Sequence, residues 1–167
     1  MRERLTRQDV EKIEKEIEHR KLVVRKEAIE AVKEARAQGD LSENFEYYAA
    51  KREKNQNESR IRYLERVLKT AEIITDHSGE DEVGLNNRVT VYVEDDEVEE
   101  TYRLVTSIRG NSLAGLISTE SPIGKAILGH KVGDRVEVHV NDQYSYSVVI
   151  RSIDKTRDED GDKIRSY

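Results

Sequence analysis

Residues 35–47 read ARAQGDLSENFEY and separate two highly charged segments that share one spacing of apolar residues. Apolar or small residues recur at intervals close to three and four on both sides of this stretch, namely Val10, Ile13, Ile17, Val24, Ala28, Ala31 and Ala35, then Ala50, Ile61, Leu64, Leu68 and Ala71. This spacing predicts two amphipathic helices, each about 30 residues long. Gly39 interrupts the first helix, so a short turn at residues 39–44 joins the arms of an antiparallel hairpin.

Two further features define this hairpin. Thr6 and Asp9 have the spacing of a capping box, in which each residue binds the backbone N–H of the other, and they predict where the first helix begins. Asn57 occupies a position in the apolar seam of the second helix. A single polar residue in such a seam is predicted to fix the register of the two arms at some cost in stability.

The spacing changes after Ile74 and predicts a second domain of a different class. Alternating apolar and polar residues indicate strands, and Ser121, Pro122 and Gly129 supply the start and end signals of one short helix. The predicted strands are 88–93, 101–106, 135–140 and 144–150. The fold class is therefore α+β: a helical coiled-coil hairpin at residues 1–75, a small domain with an antiparallel sheet at 76–154, and a mobile charged tail at 155–167.

Composition narrows the possible function classes. Of the 167 residues, 35% are hydrophobic and 38% are charged, and the net charge of -6 argues against generic binding of nucleic acid through a basic face. Residues 1–75 hold 18 basic and 16 acidic residues, so the acidic excess lies in the second domain. The absence of cysteine excludes disulfides and thiolate metal sites, and no segment suits a membrane span. A cytoplasmic protein is expected.

The turn carries two carboxylates three residues apart, Asp40 and Glu43. They have a plain structural explanation, because Asp40 can cap the second helix and Glu43 can complete a capping box near the positive end of the helix dipole. On spacing alone, this structural explanation is the stronger one.

A family resemblance changes that balance. The turn segment resembles the tip signature of the bacterial GreA/GreB transcript-cleavage factors, and further segments resemble the same family in the same order along the chain. These segments are 59–61, 64–65 and 71–74 in the second helix, then 117–118 and 121–129 in the second domain. The resemblance spans about residues 5 to 153 and therefore covers both predicted domains.

The resemblance implies a coiled-coil N-terminal domain and an FKBP-like C-terminal domain that docks near the mouth of the secondary channel of bacterial RNA polymerase. It also implies hydrolysis of the backtracked RNA 3' end by the polymerase's own active centre, with this chain as a monomeric accessory factor rather than an enzyme. Asp40 and Glu43 would share a Mg2+ ion there. Two carboxylates are too few to hold the ion alone, so no cofactor is expected in the isolated protein.

Other residues receive secondary roles by the same resemblance. Ser42 and Asn44 are accessory tip residues that could orient water or contact the polymerase. Phe45 stands where the family commonly has a small residue, and packing on the turn is favoured over stacking on a displaced base. Basic residues that flank the tip could hold RNA phosphates or simply form a solvated face. They are Lys33, Arg36, Lys51, Arg52 and Lys54, of which Lys51 and Arg52 most resemble the basic patch of the family. The predicted docking residues are Ser121, Pro122, Ile123 and Gly124.

Two other function classes stay open. The chain could bind the polymerase channel and modulate transcription without activating cleavage, an alternative that Phe45 and the extra tail allow. The FKBP-like half could instead act as a prolyl isomerase or chaperone. Its few aromatic residues disfavour that reading, because an isomerase pocket needs an aromatic lining.

Overall fold

The computed structural model describes residues 2–39, 44–157 and 163–166. The chain divides into two compact units, one containing Val10–Ala71 and the other containing Glu3–Asp9 with Glu72–Tyr167. Within the described residues, no helix combines the length and the apolar character needed to cross a membrane.

The first unit is the predicted helical hairpin. Its first arm consists of α1 (Arg7–His19), a five-residue π-helix (Arg20–Val24) and α2 (Arg25–Ala37), and its second arm is α3 (Phe45–Thr70). The first arm begins at the predicted capping box. The backbone N–H of Thr6 donates to Asp9 Oδ2 at 3.0 Å, and that of Asp9 donates to Thr6 Oγ1 at 3.1 Å.

The two arms run antiparallel and bury a narrow seam. Arg25 near the middle of the first arm donates two hydrogen bonds to Glu58 of the second, at 2.7 and 2.9 Å. The side chains buried in the seam include Ile13, Ile61, Leu64 and Val67, together with two polar ones, Asn57 and Arg60. The prediction of a seam at Ile13, Ile61 and Leu64 is confirmed, whereas the burial of an arginine was not predicted.

The polar members of the seam form one cluster. Asn57 Nδ2 donates to the carbonyl oxygen of Arg20 at 3.2 Å, and Arg20 Nη1 donates back to Asn57 Oδ1 at 3.1 Å. Glu16 Oε2 accepts from Arg20 Nε at 2.7 Å and from Arg60 Nε at 2.9 Å. Burial alone would raise the pKa of the Glu16 carboxyl, but the hydrogen bonds and charges of Arg60 and Arg20 outweigh it and lower that pKa.

The second unit is built on a sheet of five strands, which are β3 (Arg88–Val93), β4 (Val98–Val105), β5 (Leu116–Ser118), β6 (Arg135–Asn141) and β7 (Tyr144–Asp154). Their order in the sheet is β5-β4-β3-β7-β6. The short helix predicted from the Ser and Pro start signals is present as α4 (Pro122–Ile127), and it packs against β6. Its core consists of buried aliphatic side chains that include Val89, Val91, Leu104, Ile127, Val138, Val148 and Ile150.

The α+β class is confirmed, and the sheet differs from the predicted antiparallel one by a fifth strand, β5, which was not predicted. Three of its four pairings are antiparallel, but β5 pairs with β4 in parallel, so the sheet is mixed. The 3-10 turns at 107–109 and 112–114 reverse the chain between β4 and β5 and allow this parallel return. A second, two-stranded parallel sheet in this unit pairs β1 (Arg4–Leu5) with β2 (Glu72–Ile73).

The segment predicted as a mobile tail makes specific contacts wherever the structure describes it. Lys155 Nζ donates to Ser78 Oγ at 3.1 Å and to the carbonyl oxygens of Gly79 and Glu82 at 3.0 and 2.9 Å. The Arg165 guanidinium donates to Glu3 Oε1 at 3.1 Å. Residues 155–157 and 163–166 are thus anchored to the second unit, which the charged composition did not predict, and residues 158–162 lie outside the described part.

Candidate functional site

The tip of the hairpin is described on both sides of its central four residues. Asp40, Ser42 and Glu43, which carry the predicted chemistry, lie outside the described residues. On the near side, the first arm ends at Gln38, and Gly39 has a φ of +112°, a backbone conformation that glycine adopts without strain. The described residues around the tip therefore define the setting in which the two carboxylates would act.

Asn44 links the two arms beside the tip. Its Oδ1 accepts from the backbone N–H of Tyr47 at 2.9 Å and so caps α3. Its Nδ2 donates to the carbonyl oxygen of Ala35 in the last turn of α2 at 2.6 Å, and this carbonyl also accepts from the backbone N–H of Gln38 at 3.3 Å. Both ends of the amide are therefore engaged within the hairpin. The role expected for Asn44, orienting water or contacting the polymerase, stays a prediction.

Phe45 does not pack on the turn. Its side chain is 86% exposed at the first position of α3, so the expectation that it covers the hairpin turn is wrong for the described residues. An exposed aromatic ring at this place is available to a partner.

Basic side chains gather around one tyrosine close to the tip. The Arg36 guanidinium lies 5.7 Å from the centre of the Tyr47 ring, across the two arms. Hydrogen bonding with Arg36, together with the charges of Lys51, Arg36 and Lys54, lowers the pKa of the Tyr47 hydroxyl. Lys51 and Arg52 are exposed on the second arm. The structure thus brings Arg36 and Lys51 into one positive surface.

The four predicted docking residues have different surroundings. Ser121 caps α4, because its Oγ accepts from the backbone N–H of Gly124 at 3.1 Å and donates to the Ser118 carbonyl at 2.7 Å. Pro122 is exposed, whereas Ile123 packs on the core. Gly124 is buried, and the position requires glycine because a Cβ there would lie 2.1 Å from the Ser118 carbonyl oxygen. Ser121 and Pro122 are therefore the members of this group that can present polar or apolar surface to a partner.

The described residues hold no complete metal site. No group of three or more His, Cys, Asp or Glu side chains among them could hold an ion. Asp40 and Glu43 offer carboxylate oxygens, the donors that Mg2+ prefers, but two such residues fill only part of its coordination shell. The donor chemistry fits a shared magnesium ion and not one that this chain holds alone.

Comparison with known proteins gives matches over nearly the whole chain. Family models for the N-terminal domain of transcription elongation factors and for the C-terminal domain of GreA/GreB factors match residues 3–73 and 78–155. The transcription elongation factor GreA of Streptococcus pneumoniae (strain ATCC 700669 / Spain 23F-1) is 43% identical over 155 residues, covering 91% of this chain and 95% of the relative. GreA of Mesomycoplasma hyopneumoniae (strain 232) is 43% identical over 146 residues, covering 87% of this chain and 91% of the relative.

A solved structure, that of the GreA factor homolog 1 of Thermus thermophilus, is 28% identical and covers 92% of this chain and 99% of its own, with a TM-score of 0.42. The two family models and the sequence relatives cover both domains in the same order. The resemblance inferred from the tip and from the Ser121 segment is confirmed, and the chain belongs to the GreA/GreB family of transcription elongation factors.

Proposed function

We propose that this elongation factor enters RNA polymerase through the secondary channel and stimulates the polymerase's own cleavage of backtracked RNA. In this proposal Asp40 and Glu43 act inside the polymerase active centre, and the chain has no nuclease activity by itself. The family membership supports the role in elongation. The geometry of the hairpin, and above all the amide of Asn44, supports the more specific mechanism.

The hairpin has the length that this role requires. The first arm is helical from Arg7 to Ala37, and at 1.5 Å per residue such a run is about 45 Å long. The second arm, α3, has 26 residues and returns over a comparable distance. Two helices bound along a continuous seam are stiff, and a stiff arm of this length can carry a tip from the mouth of a channel to a buried centre.

The single observation that carries the proposal is the connection made by Asn44. Its amide caps the second arm and binds the end of the first arm, so the chain enters and leaves the central tip residues at two points held together by one side chain. Ligands for a metal must be held within a fraction of an ångström of their productive positions. Helix ends that are tied together on both sides of residues 40–43 meet that requirement better than free helix ends do.

The carboxylates would complete a magnesium site to which the polymerase and the RNA contribute the other ligands. In hydrolysis by two metal ions, one ion would generate the attacking hydroxide and the other would stabilise the departing oxygen of the phosphodiester, and the shared ion would be the more weakly held of the two. Asp40 and Glu43 would hold the ion through carboxylate oxygens. Arg36, Lys51 and Arg52 would bind phosphates of the backtracked RNA, since each is a cation close to the tip.

The second unit would dock the factor on the polymerase. The exposed Pro122, at the first position of α4, and the capping residue Ser121 beside it form a rigid corner at the surface. Rigid presentation favours binding because little conformational entropy is lost on contact. Ile123 and Gly124 would support this corner from within the domain.

The test is RNA cleavage in a stalled, backtracked elongation complex. The native protein is compared with Asp40→Ala, Glu43→Ala, a no-factor control and Glu46→Ala, which removes an exposed carboxylate from the first turn of α3. We expect cleavage by the native protein and by Glu46→Ala, and loss of cleavage with unchanged polymerase binding for the two tip variants. If the native protein binds but leaves the RNA intact, it is a channel-binding regulator instead.

A further inference from the structure

A second candidate surface lies on the hairpin, on residues that the proposed function does not use. A groove of about 420 Å³ runs between the two arms of the first unit. Three apolar side chains, Ile17, Leu22 and Leu68, line it, and its remaining lining residues are Glu14, Glu18, Lys21 and Glu65. Leu22 is 65% exposed, which is unusual for a leucine beside an apolar seam.

The π-helix explains why Leu22 is exposed. The backbone N–H of Arg25 donates to the carbonyl oxygen of Arg20, five residues earlier, so this turn holds one residue more than an α-helical turn. The extra residue turns Leu22 and its neighbour Val23 away from the seam, and Val24 continues the apolar spacing beyond them. Single π-turns inside α-helices are frequently found at functional sites.

The exposed position of Leu22 is held by buried polar contacts. Asn57, which is 3% exposed, donates to the Arg20 carbonyl and accepts from the Arg20 guanidinium. These two bonds tie the first residue of the π-helix to the second arm. The groove is therefore a built feature of the hairpin and not the result of a frayed turn.

We propose that this groove binds an amphipathic helix of another protein whose apolar stripe is flanked by lysine or arginine. A cleft between two packed helices accepts the apolar stripe of a third helix, which is a common mode of peptide recognition. The lining has three glutamates and one lysine, and Lys21 Nζ already lies 3.5 Å from Glu65. The remaining negative charge favours a basic partner.

The same charge argues against a second copy of this chain as the occupant. Two copies joined through this groove would bring Glu14 and Glu18 of each against the glutamates of the other, and like charges across an interface oppose binding. The inference goes beyond the proposed function because none of the groove residues lies near the tip. It requires only that the hairpin folds as described.

The test is binding of a defined helical peptide to the full-length native protein by fluorescence anisotropy. The probe is a fluorescein-labelled synthetic helix of about five turns, with leucines along one stripe and lysines on both flanks, and its twin carries glutamates in place of the lysines. We expect the lysine peptide to bind at least about tenfold more tightly than its twin, and equal binding of the two would overturn the proposal.

Two variants locate the binding on the protein. Leu22→Glu should weaken binding of the lysine peptide about tenfold or more, because one buried leucine contributes at least that factor. Val23→Glu is the matched control: Val23 is 40% exposed, adjacent in sequence and absent from the groove lining, so binding should stay within about twofold. Far-UV circular dichroism checks that both variants fold.

Two further outcomes would overturn the proposal. One is equal loss of binding in Leu22→Glu and Val23→Glu, which would mean that the peptide binds outside the groove. The other is self-association of the native protein that Leu22→Glu abolishes in sedimentation, which would make a second copy the occupant. Glu14→Lys combined with Glu18→Lys should reverse the preference between the two peptides, and an unchanged preference would likewise contradict the charge argument.

Discussion

Replacing Asp9 by alanine should destabilise the second unit more than any exposed substitution in it. The Asp9 carboxylate is fully buried and accepts from Arg109 Nε at 2.6 Å, from Thr106 Oγ1 at 2.7 Å and from the backbone N–H of Thr6 at 3.0 Å. The Arg109 side chain is also fully buried, and its Nη1 donates to Asn86 Oδ1 at 2.7 Å. These side chains form one buried hydrogen-bonded network around the Asp9–Arg109 ion pair.

The expected loss follows from that burial. Removing one partner of a buried ion pair leaves the other charge without compensation and costs about 3–5 kcal/mol. Most domains have a free energy of unfolding of about 5–15 kcal/mol, so Asp9→Ala alone would remove a large share of it. Replacing both residues, as in Asp9→Ala with Arg109→Met, removes both charges and should cost less than the sum of the two single changes by about 2 kcal/mol or more.

The assay is urea unfolding, and the readout is hydrogen exchange at the backbone amides of Val89 and Val91 in the core of the second unit. Exchange at these sites reports the unit by itself, which matters in a chain with two compact units. Asp95→Ala, in the exposed turn after β3, is the control and should stay within about 0.5 kcal/mol of the native protein. The reasoning fails if Asp9→Ala costs less than about 1 kcal/mol, or if the double variant loses the full sum.

Three further changes test other parts of the structure. The pKa of the Glu16 carboxyl is lowered in the folded hairpin. The ionised carboxylate therefore stabilises the hairpin fully above its usual pKa near 4.5, and this stabilisation is lost as pH falls through the lower pKa of the folded state. Glu16→Gln should flatten the acid side of the profile of helicity against pH, measured by circular dichroism at 222 nm. Gly124→Ala should cost about 1–3 kcal/mol in thermal unfolding, because its Cβ would meet the Ser118 carbonyl. Asn44→Asp should keep the cap of α3, whereas Asn44→Ala should lower the free energy of unfolding by about 1 kcal/mol. Both variants lose the bond to the Ala35 carbonyl, so both should speed hydrogen exchange of the backbone amides at the end of α2. Unchanged exchange would contradict the linking role of Asn44.

Local rules predicted much of the fold from sequence. Three features depend only on residues close together in the chain, so local sequence was enough to predict them. They are the capping box at Thr6, the cap and proline at the start of α4, and strand β3. The apolar spacing likewise located both arms of the hairpin, because a narrow stripe needs a partner and the short turn supplies one.

Features that depend on distant residues were not predictable in the same way. The parallel pairing of β5 needs a chain reversal through residues 106–115, which no apolar spacing reveals. The burial of Arg60 depends on Glu16, 44 residues away, and an arginine in a highly charged helix looks like a solvated residue until its partner is known. The exposure of Phe45 was missed because aromatic residues are expected to pack.

The π-helix could not be predicted from the apolar spacing. From Val10 to Ala35 the seam positions, with Arg20 filling the gap between Ile17 and Val24, lie on average about 3.6 residues apart, which is the period of an uninterrupted α-helix. The extra residue of the π-turn is seen only in the structure, where the backbone N–H of Arg25 donates to the Arg20 carbonyl oxygen. Asn57 of the second arm, far away in sequence, contacts the same carbonyl.

The polar cluster in the middle of the hairpin matters for register more than for stability. Towards the tip, the first arm presents the small side chains Ala28, Ala31 and Ala35, which would fit almost as well after a slip of one helical turn, about 5.4 Å. A buried amide and a buried guanidinium fit in only one alignment, because any slip leaves them without partners in an apolar seam. In the proposed function a slip would tilt or withdraw the tip, so a hairpin that delivers ligands needs one register and can tolerate a weaker seam to obtain it.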